Sequence, residues 1–244
     1  MKGIVLAGGT GSRLHPLTLV TNKHLLPVYD EPMIYKPLKT LINSGITDIM
    51  IILGGESVGD FVRLLGSGQD FNASFTYRYQ DRAGGIAEAL SLARDFSRGE
   101  KIAVILGDNV FGDSFGKAVS DFEHDEENGC YLFLKRVPDP KRFGVAELDD
   151  EGKIISIEEK PQYPRSDLCV TGLYFYDEHA FEHIDEVIEK IGYSARGELE
   201  ITDVNNIYVK KRTARPILFD GFWSDAGKFE TLLHSSNHVA GKLK

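Results

Sequence analysis

Apolar positions along the chain fall into two rhythms, short unbroken runs and a helical period, and the two alternate. Ile4-Val5-Leu6-Ala7 is an unbroken apolar run, as expected for a central strand covered on both faces. Ile34, Leu38, Leu41 and Ile42 then recur at helical spacing, between an opening at Asp30-Glu31-Pro32 and a stop at Asn43-Ser44-Gly45. Pro37 suits the first turn of that helix, where backbone N–H groups lack partners anyway. The pattern repeats with a buried strand over 48–53, a helix marked by Val58, Phe61, Val62 and Leu65, an alternating strand over 73–80, a helix over 86–96 and a strand over 102–106. Strand and helix in alternation imply a largely parallel sheet.

Beyond residue 120 the rhythm changes. An acidic stretch over 121–127 reads as a solvated helix end. Strands are predicted over 130–137, 144–148 and 153–159, the last two joined as a hairpin by Asp149-Asp150-Glu151-Gly152, and another over 170–176. Helices follow over 179–188 and from Arg196-Gly197-Glu198-Leu199-Glu200 through Tyr208, then a strand over 215–219. A terminal helix carries Phe229, Leu232 and Leu233 on one face and ends near Ala240-Gly241. No repeat, low-complexity tract or Pro/Ser-rich linker marks a boundary. The expected fold is α/β: a single domain over 1–244, Rossmann-like and three-layered, with a mixed, mostly parallel central sheet.

The first strand runs into Gly8-Gly9-Thr10-Gly11. Missing side chains there let backbone N–H groups approach a polyphosphate closely. Arg13 and Lys23 add two cations that can reach the same oxygens, one a planar fork and one a mobile point charge. No Lys follows Gly11 directly, which excludes a P-loop, and Leu14 stands where a dinucleotide fingerprint needs its last glycine. A nucleoside triphosphate site fits, against the plainer reading of a glycine turn between two elements.

Composition narrows the partners. The 28 Lys and Arg against 37 Asp and Glu leave a net charge of −9, so no broad nucleic-acid or acidic-membrane footprint is expected and anionic substrates must be drawn by local cations. Two cysteines, Cys130 and Cys169, one opening a predicted strand and one directly preceding another, read as buried thiols of a reducing compartment. With no long apolar run, the expected location is the cytoplasm.

Asp108 follows a strand and Asp225 precedes a helix, and both are candidates for a metal. Mg2+ takes one or two carboxylates plus phosphate oxygens and waters, though either aspartate could equally cap a turn or a helix. In Glu159-Lys160-Pro161 a carboxylate suits sugar hydroxyls and the lysine a phosphate, unless the two are a strand-edge charge pair. His234 and His238 lie four apart on a helix without an accompanying zinc motif, and no Ser/His/Asp or Cys/His set is visible.

Taken together, several stretches resemble the sugar nucleotidyltransferases, in their short form. They are residues 6–16, 23–27, Pro32-Met33-Ile34-Tyr35, Gly107-Asp108-Asn109, Phe143-Gly144-Val145, Glu158-Glu159-Lys160-Pro161, Val170-Thr171-Gly172-Leu173-Tyr174, Arg196 through Asp203, and Trp223-Ser224-Asp225-Ala226-Gly227. The likeness is strongest to members that make dTDP-glucose and pyrophosphate from dTTP and glucose 1-phosphate. It implies nucleotide contacts at Leu6, Ala7, Gly8, Gly9, Gly11, Arg13, Lys23, Gln80, Gly85, Asp108 and Asn109, with the thymine edge on Gln80 and the Gly85 backbone. It implies sugar-phosphate contacts at Gly144, Glu159, Lys160, Val170 and Arg196, and Mg2+ on Asp108 and Asp225. Arg13, Lys23 and Asp108 would be catalytic, in a homo-oligomer. The chain departs from the family's usual residues at His24, Ala83, Glu88 and Phe143. The alternatives are a nucleotidyltransferase for another base or sugar, such as one using UTP, and a sensing module that binds sugar nucleotides without turning them over.

Overall fold

The structure, a computed structural model, describes residues 1–127 and 129–242. Packing gathers the chain into two compact units, each drawn from separated segments. One comprises Lys2–Ala83, Ile105–Val119 and the segment from Gly221 onward. The other comprises Met1, Gly84–Val104 and Ser120–Asp220.

In the first unit the apolar runs form parallel strands. Lys2–Ala7 pairs with Asp48–Gly54 from Gly3↔Ile49 to Ala7↔Leu53, and Asp48–Gly54 pairs with Ser74–Gln80 from Asp48↔Ser74 to Gly54↔Gln80. This register aligns the carboxyl ends, so Ala7, Gly54 and Gln80 finish along one edge, where an open α/β sheet binds its ligands. The end of strand Ile102–Leu106 lies on the other side of Lys2–Ala7, and the Gly107 N–H donates to the Leu6 carbonyl at 2.9 Å. Ile4, Val5, Ile51 and Ile52 are fully buried, and the helices Tyr35–Asn43 and Val58–Leu65 bury Leu38, Leu41, Phe61 and Leu65.

The helix expected to open at Asp30-Glu31-Pro32 begins later, at Tyr35. Glu31–Pro32 instead forms a short antiparallel ribbon with Pro27–Val28, and the Met33 and Ile34 amides donate to the carbonyls of Leu26 and His24, each at 2.8 Å. The ribbon holds residues 31–32 extended, so the helix starts only after it. A second ribbon pairs Asn109–Phe111 with Trp223–Asp225. It packs through Val110 and Ala226 onto Val28 and Met33, with Leu232 and Val239 of the terminal helix Phe229–Lys242 laid against them.

The second unit is mostly antiparallel. Leu168–Tyr176, buried at all nine positions, pairs antiparallel with Cys130–Arg136 and, through Cys169↔Val145, with Gly144–Leu148; Ile154–Glu159 closes the hairpin. Ala214–Leu218 runs parallel to Cys130–Arg136. The helices Ala180–Lys190 and Ile201–Lys210 cover this sheet, and the Tyr208 and Tyr176 hydroxyls donate to Asp177 and Asn205 at 2.6 Å. Cys130 and Cys169 are both buried and form no disulfide, as expected. The predicted helix over 86–96 is two pieces, Ile86–Ser91 and Arg94–Ser97. At the break, the Leu92 and Ala93 amides reach back only three residues, to Ala89 and Leu90. The class is α/β with a mixed sheet, as the alternating first part and the changed rhythm beyond residue 120 implied.

Candidate active site

The glycine loop leaves the carboxyl end of Lys2–Ala7 and closes over its own neighbours. A Cβ on Gly8 would lie 2.3 Å from Gln80 Oε1, so only glycine lets that buried amide sit against the loop. A Cβ on Gly9 would lie 3.5 Å from Lys23 Nζ, while Gly11, at φ +67°, packs on the Lys23 side chain. Asn22 caps the turn that presents Lys23, its Oδ1 accepting the His24 N–H at 3.0 Å and the His24 Nδ1 at 2.7 Å.

Lys23 Nζ donates to Asp108 Oδ2 at 2.5 Å, and Asn109 Nδ2 donates to Asp108 Oδ1 at 2.9 Å. Asp108 is 8% exposed. Burial pushes its carboxyl upward, but the opposing charge and hydrogen bonds, Lys23 foremost, outweigh that and hold it well below the usual carboxylate range. The His24 pKa is lowered as well, to about 3, by burial first and then by Lys23, so its ring is neutral. Arg13 completes the group: a Cβ on Gly227 would meet Arg13 Nη2 at 3.1 Å and Asp108 Oδ2 at 3.4 Å.

The second ribbon places Asp225. Its register sets Asp225 opposite Asn109, the residue after Asp108, and the Ala226 N–H donates to the Asp108 carbonyl at 2.8 Å. Two acids 117 positions apart in the chain are thus backbone neighbours. Two carboxylates from positions brought together by this ribbon suit a divalent cation that also takes phosphate oxygens and waters. Among the described residues no group of three or more His, Cys, Asp or Glu side chains could hold a metal ion.

In the second unit Glu159 is the centre. It accepts from Thr202 Oγ1 at 2.6 Å and lies 3.2 Å from Lys160 Nζ and 3.4 Å from Arg196 Nη2. Gly144 pairs with Glu159 across the hairpin, and a Cβ there would stand 3.3 Å from Thr202 Oγ1. Lys160, at φ +47°, turns the chain out of the strand. Arg196 also pairs with Glu198 and Glu200 at 3.3 and 2.7 Å, and the three acids raise its pKa although burial opposes them. Val170 is buried beside Cys169, whose partner Val145 follows Gly144. Gly85, at φ +102°, lies against Leu199: a Cβ there would be 2.5 Å from the Leu199 carbonyl oxygen. Leu6, Ala7, Gly8, Gly9, Gly11, Arg13, Lys23, Gln80, Asp108, Asn109 and Asp225 all belong to the first unit; Gly85, Gly144, Glu159, Lys160, Val170 and Arg196 all belong to the second.

Three residues outside the predicted set support it. Trp223 Nε1 donates to Asn109 Oδ1 at 2.7 Å and so orients the amide that holds Asp108. Thr202 and Asn22 serve Glu159 and the Lys23 turn in the same way. Their signal in the sequence was adjacency: Trp223 is the one tryptophan and stands two residues before Asp225, and Thr202 follows the Arg196–Glu200 stretch.

Residues 2–242 match the family model of the nucleotidyl transferases. The chain belongs to that family. It is 44% identical over 242 residues to a glucose-1-phosphate thymidylyltransferase of Neisseria meningitidis serogroup A, and 43% to one of Mycolicibacterium smegmatis. Each alignment covers 98% of this chain and 82% of the relative. A crystal structure of a protein from Bacillus anthracis, described as a glucose-1-phosphate thymidylyltransferase in complex with a sucrose, superposes with a TM-score of 0.91 at 51% identity, covering 98% of this chain and 95% of that one. UDP-glucose pyrophosphorylase complexed with UDP-glucose, at 23% identity and a TM-score of 0.85 over 99% of this chain and 98% of the other, shares the fold.

Proposed function

We propose that the protein transfers a thymidylyl group from dTTP to α-D-glucose 1-phosphate, giving dTDP-glucose and pyrophosphate. The observation that carries this is identity above 40% along 98% of the chain to glucose-1-phosphate thymidylyltransferases. The clustering of Arg13, Lys23, Asp108 and Asp225 in one unit supports it.

In the proposed reaction a phosphate oxygen of glucose 1-phosphate attacks the α-phosphorus of dTTP as the bond to the β-phosphate breaks. A phosphate monoester with a second pKa near ~6 is largely dianionic at neutral pH, so no general base is required and catalysis is positioning plus charge neutralisation. The glycine loop N–H groups and Arg13 hold the departing phosphates. Lys23, whose ammonium already lies beside Gly9, turns from Asp108 to a phosphate oxygen. Asp108 and Asp225 would hold Mg2+, which when bound screens the triphosphate charge and favours the leaving group. The Gln80 amide, able both to donate and to accept, and the Gly85 backbone are assigned to the thymine edge, Glu159 takes sugar hydroxyls, and Lys160 and Arg196 take the sugar phosphate.

Among the described residues no helix is long and apolar enough to cross a membrane, and we place the reaction in the cytoplasm, carried out by a homo-oligomer. Pyrophosphate release, measured with Mg2+, glucose 1-phosphate and each of dTTP, UTP, ATP, CTP and GTP, tests the reading. Release fastest with dTTP is expected. Release with UTP far above dTTP would replace thymine by uracil, and none with any nucleotide would leave a sugar-nucleotide sensor.

A further inference from the structure

The turn that carries Arg196 is tied at both ends to the segment that carries Gly85. Within the turn the Gly197 N–H donates to the Ser194 carbonyl at 2.8 Å, the Ser194 N–H to the Glu198 carbonyl at 2.9 Å, and Ser194 Oγ to Glu200 at 2.7 Å. At its far end the Leu199 N–H donates to the Gly84 carbonyl at 2.7 Å and the Leu199 carbonyl accepts the Ala87 N–H at 3.2 Å. At its near end the Tyr193 hydroxyl donates to Glu88 Oε2 at 2.7 Å. The Glu88 carboxylate in turn covers buried Gly84 so closely that a Cβ there would lie 1.9 Å from Oε1.

We propose that Tyr193 and Glu88 form a brace that makes the Gly84–Gly85 segment and the Arg196 turn one rigid piece, so that both are positioning residues for the two substrates at once. The kinetic part rests on the roles proposed above for Gly85 and Arg196; the brace itself rests on the hydrogen bonds. Tyr193 touches neither substrate in this scheme. Tyr193 is 44% exposed, so removing the hydroxyl leaves the core intact. What it removes is a hydrogen bond to a carboxylate that spans 105 residues of chain.

The test is a double-variant cycle of Tyr193→Phe and Glu88→Ala. Loss of one charge-assisted bond that acts through position should raise KM for dTTP and for glucose 1-phosphate together, each about threefold to tenfold, with kcat within about twofold. The double variant should be no worse than either single one. A rise in one KM alone, no rise in either, or additive effects would overturn the brace. Amide hydrogen exchange without substrates reads the same contact independently: Leu199 and Ala87 should exchange faster in Tyr193→Phe, and unchanged exchange overturns the proposal. If the wild-type protein makes no dTDP-glucose, the reaction falls, and the exchange result alone decides the brace.

Discussion

Replacing Lys23 by Met keeps the side chain's length and removes its charge, leaving buried Asp108 with the neutral Asn109 amide donating to its other oxygen. Breaking a buried ion pair from one side destabilises by about 3–5 kcal/mol, because the remaining charge is uncompensated. In a chain of 244 residues each kcal/mol shifts Tm by about 2 °C, so the variant should melt about 6–10 °C below wild type at pH 8. The pH dependence gives the sign. In the wild type the folded Asp108 pKa is depressed, so its contribution is present above the unfolded pKa near ~3.9 and is lost only as pH falls through the lower folded value. Without Lys23, burial dominates and raises the folded pKa above the unfolded one. The penalty is then full at high pH and shrinks as Asp108 takes up a proton. The Tm gap between variant and wild type, followed by calorimetry, should therefore narrow as pH falls from 8 to 5. Millimolar Mg2+ should restore part of the lost stability in Lys23→Met and none in Lys23→Met/Asp108→Asn. A variant that melts with wild type at pH 8, or a gap that widens toward pH 5, would refute the buried charge pair.

Three further outcomes test individual contacts. Arg13→Ala should lower kcat on the order of 10³-fold in the pyrophosphate assay, as expected for a guanidinium that neutralises transition-state charge, and a loss of a few-fold would remove it from that role. Gly8→Ala sets a methyl 2.3 Å from Gln80 Oε1, so the amide must swing away: KM for dTTP should rise about tenfold, with KM for glucose 1-phosphate unmoved. Thr202→Val preserves shape but removes the donor to Glu159 Oε2. It should raise KM for glucose 1-phosphate about tenfold, measured at saturating dTTP, and leave the dTTP value alone.

What the sequence made legible divides along physical lines. Runs such as Ile4-Val5-Leu6-Ala7 announce strands because burial on both faces leaves no room for polar positions, and the helical period at Leu38 and Leu41 follows from one buried stripe. The ribbon of Asn109–Phe111 with Trp223–Asp225 gave no such signal. Three residues carry no period, and their register is set by a partner more than a hundred positions away. For the same reason spacing alone offered Asp108 and Asp225 only as separate candidates, each with a cap or turn as its rival. The Glu159-Lys160 neighbours proved to be an ion pair, as the plainer reading had it, yet Thr202 and Arg196 converge on the same carboxylate.

The least legible feature was the pairing of Lys23 with Asp108. Sequence reasoning assigned the lysine to phosphate and the aspartate to a metal, whereas the folded chain gives each to the other. The two assignments are compatible on electrostatic grounds. Under the proposed assignments a magnesium–triphosphate would bring a cation for Asp108 and an anion for Lys23, so that binding would exchange one buried ion pair for two and leave neither buried charge alone. Metal or triphosphate by itself can satisfy only one of them and must strand the other. Each should therefore bind more weakly alone than in the other's presence, and the reciprocity required by linkage makes the two enhancements equal.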